Sequence, residues 1–492
     1  MQKVLGETPI LRQLTVQVQR SRFPLHVPGH QQGRVLPGVL STWLGSAPLI
    51  DLTELPGLDN LHDAKECIAE SAALAATHYG SDTCLYSVNG SSAGVMAAIA
   101  GVVREGQSVL FLNPFHVSAW RGLVQAGAIP ILPTGWFGPS AERLGVPKLE
   151  DVAQVLQAHR GSGDIGAVYL TSPTYRGDAA DVGAIASLVH EQGLPIIVDE
   201  AHGAHFGLHR ALPPHSVAQG ADVVVHSVHK TLPGLTQVAW VHVRKSRVTP
   251  ERIADALYNL TTTSPSYLLL ASLDAAQAWL RLEGEAAAQH AYEVLRPLWN
   301  DELPGRVGAN HYCGRNTRDF LRRFERGTAL SASRRLQKQL EQAGLFPEYA
   351  DAEGVLSIFG FGVTPAVVSS YQDILARWLA AEAPVAELFT QREHMRLSPV
   401  AAHAAIRFAM PPRAVWLAER EYTSLTACKG RIAALPITPY PPGVPVIWPG
   451  QVLDEETVDL LQTLRAEGTE VHGLKADGTL AVVAEGAPAE RG

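Results

Sequence analysis

Two stretches, LPIIVDEAHGAHF (194–206) and ADVVVHSVHKTLPG (221–234), carry the reading of the fold. Each contains a short block of Val, Ile and Leu that gives way to polar residues, the pattern of a strand buried on both faces. Upstream, GQSVLFL (106–112) and GAVYLTS (166–172) repeat it. The intervening stretch from Val182 to Gln192 has helical spacing of its apolar residues. Strands alternating with helices predict an α/β protein with a mostly parallel sheet covered on both faces. In such sheets ligands lie beyond the carboxyl ends of the strands, so the polar residues closing each run are the ones to weigh.

Working outward, residues 250–300 are Ala-rich with helical periodicity, and 301–425 mix helices with a short strand in GVLSIFGF (354–361), as a smaller α/β domain would. From Lys429 onward Pro is dense, in PITPYPPGVPVIWPG (436–450), which precludes a helix there and suits extended, turn-rich chain. The expected division is an arm at 1–45, a large domain at 46–300, a small domain at 301–425 and a C-terminal domain at 426–492, with a frayed end after Val483. No internal repeat is evident. A chain of 492 residues, 46% hydrophobic and 18% charged, is an ordinary multidomain globular protein. Its net charge of −8 disfavours a nucleic-acid partner. No apolar run approaches the roughly 18 residues of a membrane span. The N-terminus lacks a signal peptide's basic start and apolar core. The scattered cysteines (Cys67, Cys84, Cys313, Cys428) form no CxxC pair, which fits a reducing cytoplasm.

Lys230 follows an apolar strand and sits among Ser, His and Thr. Pyridoxal phosphate (PLP) requires one such lysine for its imine, although alone the residue could equally be a surface or ion-paired lysine. Asp199 ends its own strand one strand–helix–strand step earlier. PLP needs an anion beside its pyridine nitrogen; a turn cap is the plain alternative. Gly90, Ser91 and Ser92 open a helix of small residues, whose free N–H groups and dipole suit a phosphate, or simply an N-cap. His116, after VLFLNPF, could stack on the ring or be structural. Ser172 and Thr174, in TSPTYRG, could reach the ring oxygen; Ser227 and His229, flanking Lys230, could complete the phosphate shell. Each is ambiguous singly; their succession at strand ends is the argument.

These residues resemble the ornithine/lysine/arginine decarboxylase family. The resemblance runs through FPLHVPGHQQG (23–33), DLTELPGLDNLHDA (51–64), NGSSAG, NPFHVS, TSPTYRG, VDEAHGAHF and HSVHKTLPG, and then through MPPRAV (410–415) and GRIAALPITPYPPGVPVIWPG (430–450). It implies an aspartate-aminotransferase-like PLP fold and decarboxylation of arginine, lysine or ornithine to a polyamine precursor. Lys230 would be the Schiff-base lysine, Asp199 the pyridinium partner and His116 the stacking ring. Ala201 and His202 would border the ring's other face and edge, and Ser91, Ser92, Ser227 and His229 would hold the phosphate. It also implies a homodimer or larger assembly with sites at the subunit interface, of the shorter type without an N-terminal receiver-like domain.

Three positions depart from the family pattern: Gln31 replaces a lysine, Val228 a threonine, and Leu435 a glutamate expected to help recognise the substrate's cationic end. Glu54 or Asp59 could supply that anion, or be a turn cap or surface charge. Leu435 keeps open a different amino-acid substrate or reaction, and a non-catalytic regulatory paralogue is a further alternative. The string DEAH (199–202) lacks the phosphate loop a helicase needs. His202 and His205 lack an evident third metal ligand, so no metal is expected.

Overall fold

The four apolar runs become neighbouring strands, and three further strands complete their sheet. The computed structural model of the chain describes residues 6–137, 145–159, 164–299, 319–327, 329–351, 353–386, 405–440, 445–466, 468 and 470–485. The large sheet comprises β1 (Thr83–Ser87), β2 (Ser108–Phe111), β3 (Ile129–Ile131), β4 (Ile165–Thr171), β5 (Ile196–Asp199), β6 (Val223–Ser227) and β7 (Ala239–Val243). Their order is β1-β7-β6-β5-β4-β2-β3. All pairs from β6 to β3 are parallel, while β7 runs antiparallel to both its neighbours. Register aligns Thr171 with Asp199, and Asp199 with Val225, so β4 and β5 finish at one level and β6 runs two residues further, to Ser227. That alignment gathers the polar residues closing each run.

The helix Gly90–Val102 crosses this sheet closely. A Cβ at Gly94 would fall 2.8 Å from Val241 Cγ2 and 2.9 Å from Val225 Cγ1, so only glycine permits that approach. One connection differs from expectation. Residues 200–222, between β5 and β6, form turns and bends rather than a helix. Their small and breaking residues (Gly203, Gly207, Pro213, Pro214, Gly220) supply no helical stripe.

The smaller sheet, β8 (Arg322–Arg326), β9 (Tyr349–Ala350) and β10 (Gly354–Ile358), is antiparallel with β10 central. The helix Leu330–Gln342 packs on it. At the C-terminal end, β11 (Arg420–Ser424) pairs antiparallel with β14 (Thr479–Val483). A boundary at 425 would therefore cut through this unit. Its apolar clusters also take in Met410 and Val415 alongside Ala481 and Val483. Strand alternation in REYTS is almost wholly exposed, which hides the pairing from a sequence reading. The PITPYPPGVPVIWPG stretch is extended where described, with Thr438–Tyr440 (β12) pairing Glu470–His472 (β13). The end after Val483 lies outside the described residues from 486 onward, and so does Cys313. No helix among the described residues is long and apolar enough to cross a membrane.

Candidate active site

A cavity of about 310 Å³ opens at the carboxyl ends of β4, β5 and β6, and both Asp199 and Lys230 line it. Asp199 closes β5. Its Oδ1 accepts the Ala201 N–H at 3.1 Å and its Oδ2 accepts the Tyr169 hydroxyl at 3.0 Å. Lys230 sits on the single turn Val228–Thr231 that follows β6, whose first N–H is tied to the Val238 carbonyl at 3.1 Å. Burial lowers the Lys230 pKa below the ordinary lysine range; the Asp199 carboxylate opposes that shift and Arg322 adds to it. Lys230 Nζ lies 3.1 Å from His202 Nε2.

The cavity is also rich in donors. Ser91 and Ser92 line it from the first turn of the Gly90–Val102 helix, and Ser227 and His229 face it from the end of β6. Ser227 Oγ and His229 Nδ1 are 3.4 Å apart. Gly90 also lines the cavity, but its N–H is already committed to the Gln237 carbonyl at 2.8 Å. The anion-binding capacity therefore rests on the serines behind it.

His116 is the N-cap of the helix Val117–Ala126: its Nδ1 accepts the Ser118 N–H at 3.2 Å. That bond orients the ring and leaves the neutral ring's hydrogen on Nε2. Burial lowers the His116 pKa; Asp199 raises it and Lys230 lowers it further, with a net fall. Beside it, Phe115 stacks on Trp448 of the C-terminal unit with centroids 4.3 Å apart. The Pro-rich stretch thus braces the cavity wall from behind.

Three expected site residues, Ser172, Asp59 and Glu54, fall elsewhere. Ser172 is turned inward, its Oγ accepting the Ala180 N–H at 3.1 Å; its neighbours Thr171 and Thr174 line the cavity instead. Successive strand residues face opposite ways, so a one-residue error in the strand end exchanges them. Asp59 caps the helix Cys67–Tyr79, accepting backbone N–H groups of Asn60, Lys65, Glu66, Ile68 and Ala69 at 2.8 to 3.4 Å. Glu54 is exposed and contributes nothing to the cavity lining. Leu435 packs beside Met410, Val415 and Ala434 in an apolar cluster. Ala201 and His202 do line the cavity. His205 turns away from it, with Nε2 3.0 Å from Asp319 Oδ1, so it shares no site with His202.

Several lining residues carried no sequence signal. Asn113 clamps Thr171 through bonds of 2.8 and 2.9 Å, and Tyr175 sets its ring edge-on to His202 at 4.8 Å; Tyr169, fully buried inside β4, does not line the cavity but holds Asp199 through its hydroxyl. Thr171 Oγ1 is buried without a protein partner. Serine and histidine donors, a carboxylate, a lysine amine, an aromatic imidazole and an unpaired hydroxyl fit PLP as a donor set.

An α/β sheet of this order, with a lysine and a carboxylate meeting beyond paired strands, defines an aspartate-aminotransferase-like protein. Residues 8–298 match the Orn/Lys/Arg decarboxylase major domain and residues 384–483 the Orn/Lys/Arg decarboxylase C-terminal domain; the chain belongs to this family. It is 30% identical to an arginine decarboxylase of Halalkalibacterium halodurans, across 97% of this chain and 98% of that one. The fold matches the lysine decarboxylase LdcF of Francisella novicida with a TM-score of 0.78 at 18% identity, covering 97% of this chain and 81% of that one. A variant of SPT with PLP superimposes at a TM-score of 0.52 and 14% identity, over 78% of this chain and 86% of that one.

Proposed function

We propose that the chain is a PLP-dependent decarboxylase acting on a basic amino acid (arginine, lysine or ornithine) and yielding a polyamine precursor. The observation that carries this reading is the meeting of Asp199 and Lys230 in one cavity beyond adjacent strands. Lys230 would anchor the cofactor, Asp199 would face its ring nitrogen, and Ser91, Ser92, Ser227 and His229 its phosphate. His116 and Ala201 would border its two faces and His202 its edge. PLP supplies an aldehyde for covalent capture of the amine and a ring that takes up the electron pair released with CO2.

The chain's own groups do the rest. Asp199 keeps acceptor capacity toward the cavity, and exclusion of water strengthens its pairing with any cation there. Lys230 Nζ or His116 Nε2 would hold or move a proton at the reacting carbon. The 30% identity to an arginine decarboxylase supports a basic substrate. A homodimer or larger assembly is supported by the arm, where Phe23, Leu25, Val27, Val39 and Trp43 are exposed without apolar cover. A cytoplasmic setting is supported by the scattered cysteines, of which Cys67, Cys84 and Cys428 are buried and free. Leu435 favours a second reading, because its apolar packing places no carboxylate where the family expects one; that reading keeps PLP but changes the substrate or reaction.

The test is CO2 release from the purified protein offered arginine, lysine and ornithine separately, with product identification. Release of CO2 from one of them with the matching amine supports the first reading. A keto acid, or no turnover of any of the three, supports the second.

A further inference from the structure

Behind Lys230, His202 leads into a buried pair, Arg322 and Asp319, that neither strand ends nor motifs announce. His202 Nε2 faces Lys230 Nζ at 3.1 Å. On the ring's other side Arg322 donates to His202 Nδ1 at 2.9 Å and to the His202 carbonyl at 3.2 Å. Arg322 is fully buried and comes from the first strand of the small sheet. It donates to Asp319 Oδ2 at 2.9 Å and to the Tyr175 carbonyl at 2.7 Å, and Asp319 Oδ1 lies 3.0 Å from His205 Nε2. Gly177 makes room for it: φ is +92°, and a Cβ there would meet Arg322 Cδ at 2.9 Å.

A guanidinium has donors only. Nδ1 of His202 must therefore accept, and the ring is neutral with its hydrogen on Nε2. An imidazolium would set an N–H against the guanidinium. The Nε2–H then points at Lys230 Nζ, and a bond at 3.1 Å requires a lone pair there; an ammonium would oppose hydrogen to hydrogen.

We propose that Arg322, braced by Asp319, is a positioning residue that holds His202 as the Nε2–H ring, whose N–H donates to Lys230 Nζ and keeps that amine an uncharged nucleophile aimed into the cavity. The inference rests on Lys230 being the cofactor lysine. The electrostatics agree in direction. Burial first, then Lys230 and Arg322, lower His202 well below the ordinary histidine value, with His116 and His205 adding to the fall. The charged groups bearing on Lys230 are Asp199 and Glu348, which raise its pKa, and Arg322, which lowers it. Burial pushes Asp319 up, but His205 and Arg322 more than offset it, so the carboxylate facing Arg322 stays ionised.

The experiment reads Lys230 with a reagent unrelated to the cofactor. The full chain, stripped of cofactor, is labelled with fluorodinitrobenzene across a pH series, and the Lys230 peptide is quantified by mass spectrometry. Two variants are compared with the parent. His202→Phe removes the N–H without changing formal charge. The double variant Arg322→Met with Asp319→Asn frees Nδ1 while removing both members of the buried Arg322–Asp319 pair, and the introduced carboxamide keeps an oxygen for His205 Nε2. Both should raise the Lys230 labelling midpoint by about one pH unit, a roughly tenfold drop in labelling rate near pH 7.5. A merely apolar effect of Phe would move the midpoint the other way, because greater burial favours the neutral amine. A midpoint that stays at or below the parent value in either variant overturns the proposal. Failure of PLP to link to Lys230 in the parent would instead overturn the proposed function and leave the labelling midpoints as measured.

Discussion

The cavity at the ends of β5 and β6 and the polar cluster behind it are built from alternating residues of the same segments, yet they treat their carboxylates oppositely. Asp199 and Glu200 are consecutive and almost equally buried, 5% and 1% exposed. Asp199 accepts two bonds and keeps its remaining acceptor positions toward the cavity. Glu200 accepts Ser216 N–H at 3.1 Å on both oxygens, the Ser216 hydroxyl at 2.6 Å and His226 Nε2 at 2.7 Å. Ser227 likewise lines the cavity while its neighbour His226 turns to Glu200. Asp59, also 5% exposed, resembles Glu200, with five backbone N–H groups converging on it. Burial therefore does not separate Asp199 from Glu200 and Asp59; incomplete satisfaction does.

That contrast orders the expected effects. Asp199→Ala should cost about 100- to 1000-fold in kcat, the scale of losing a preorganised electrostatic group, with the melting temperature nearly unchanged. Steady-state CO2 release beside a thermal melt checks it. Glu200→Ala breaks the buried contact with His226 and should cost about 3–5 kcal/mol of stability in denaturant titration, while molecules that remain folded keep the parent's visible cofactor band. Asp59→Ala removes a cap and should cost about 2 kcal/mol of stability, leaving kcat within roughly twofold. If Asp59→Ala lost activity as Asp199→Ala does, the distinction between satisfied and open carboxylates would be wrong.

The smallest effect at neutral pH concerns the histidines around Tyr79. His215, His226 and His242 surround Tyr79, with centroids 5.1, 4.8 and 4.5 Å from its ring. Burial, aided by neighbouring histidines, lowers His215 to about 4 and His242 well below the ordinary value. A depressed histidine binds its proton more readily unfolded than folded. Its contribution to stability is therefore complete above about pH 6.5 and falls away as pH drops toward about 4. His215→Asn should flatten the stability curve across that window, read by denaturant midpoints at successive pH values. An unchanged slope would remove His215 from the account.

How much was legible in the sequence follows from the kind of signal each part leaves. β2, β4, β5 and β6 are buried parallel strands and read as unbroken apolar runs. β1, β3 and β7 did not, because TCLYS is short and partly polar, IPI contains a proline, and AWVHV places Trp and His in a strand. Lys230, Asp199, Ser91, Ser92, Ser227, His229 and His116 were legible because the fold brings strand ends to one place. Tyr169 and Thr171 were hidden by alternation within β4. Arg322 was hidden because its contact with His202 spans 120 residues and depends on how the small sheet docks.

The most direct test of the central claim is where the cofactor attaches. Purified protein incubated with PLP, reduced with borohydride and digested should carry the pyridoxyl group on the peptide containing Lys230, with loss of the visible band. A reduced adduct found on another lysine, or none at all, would contradict the account.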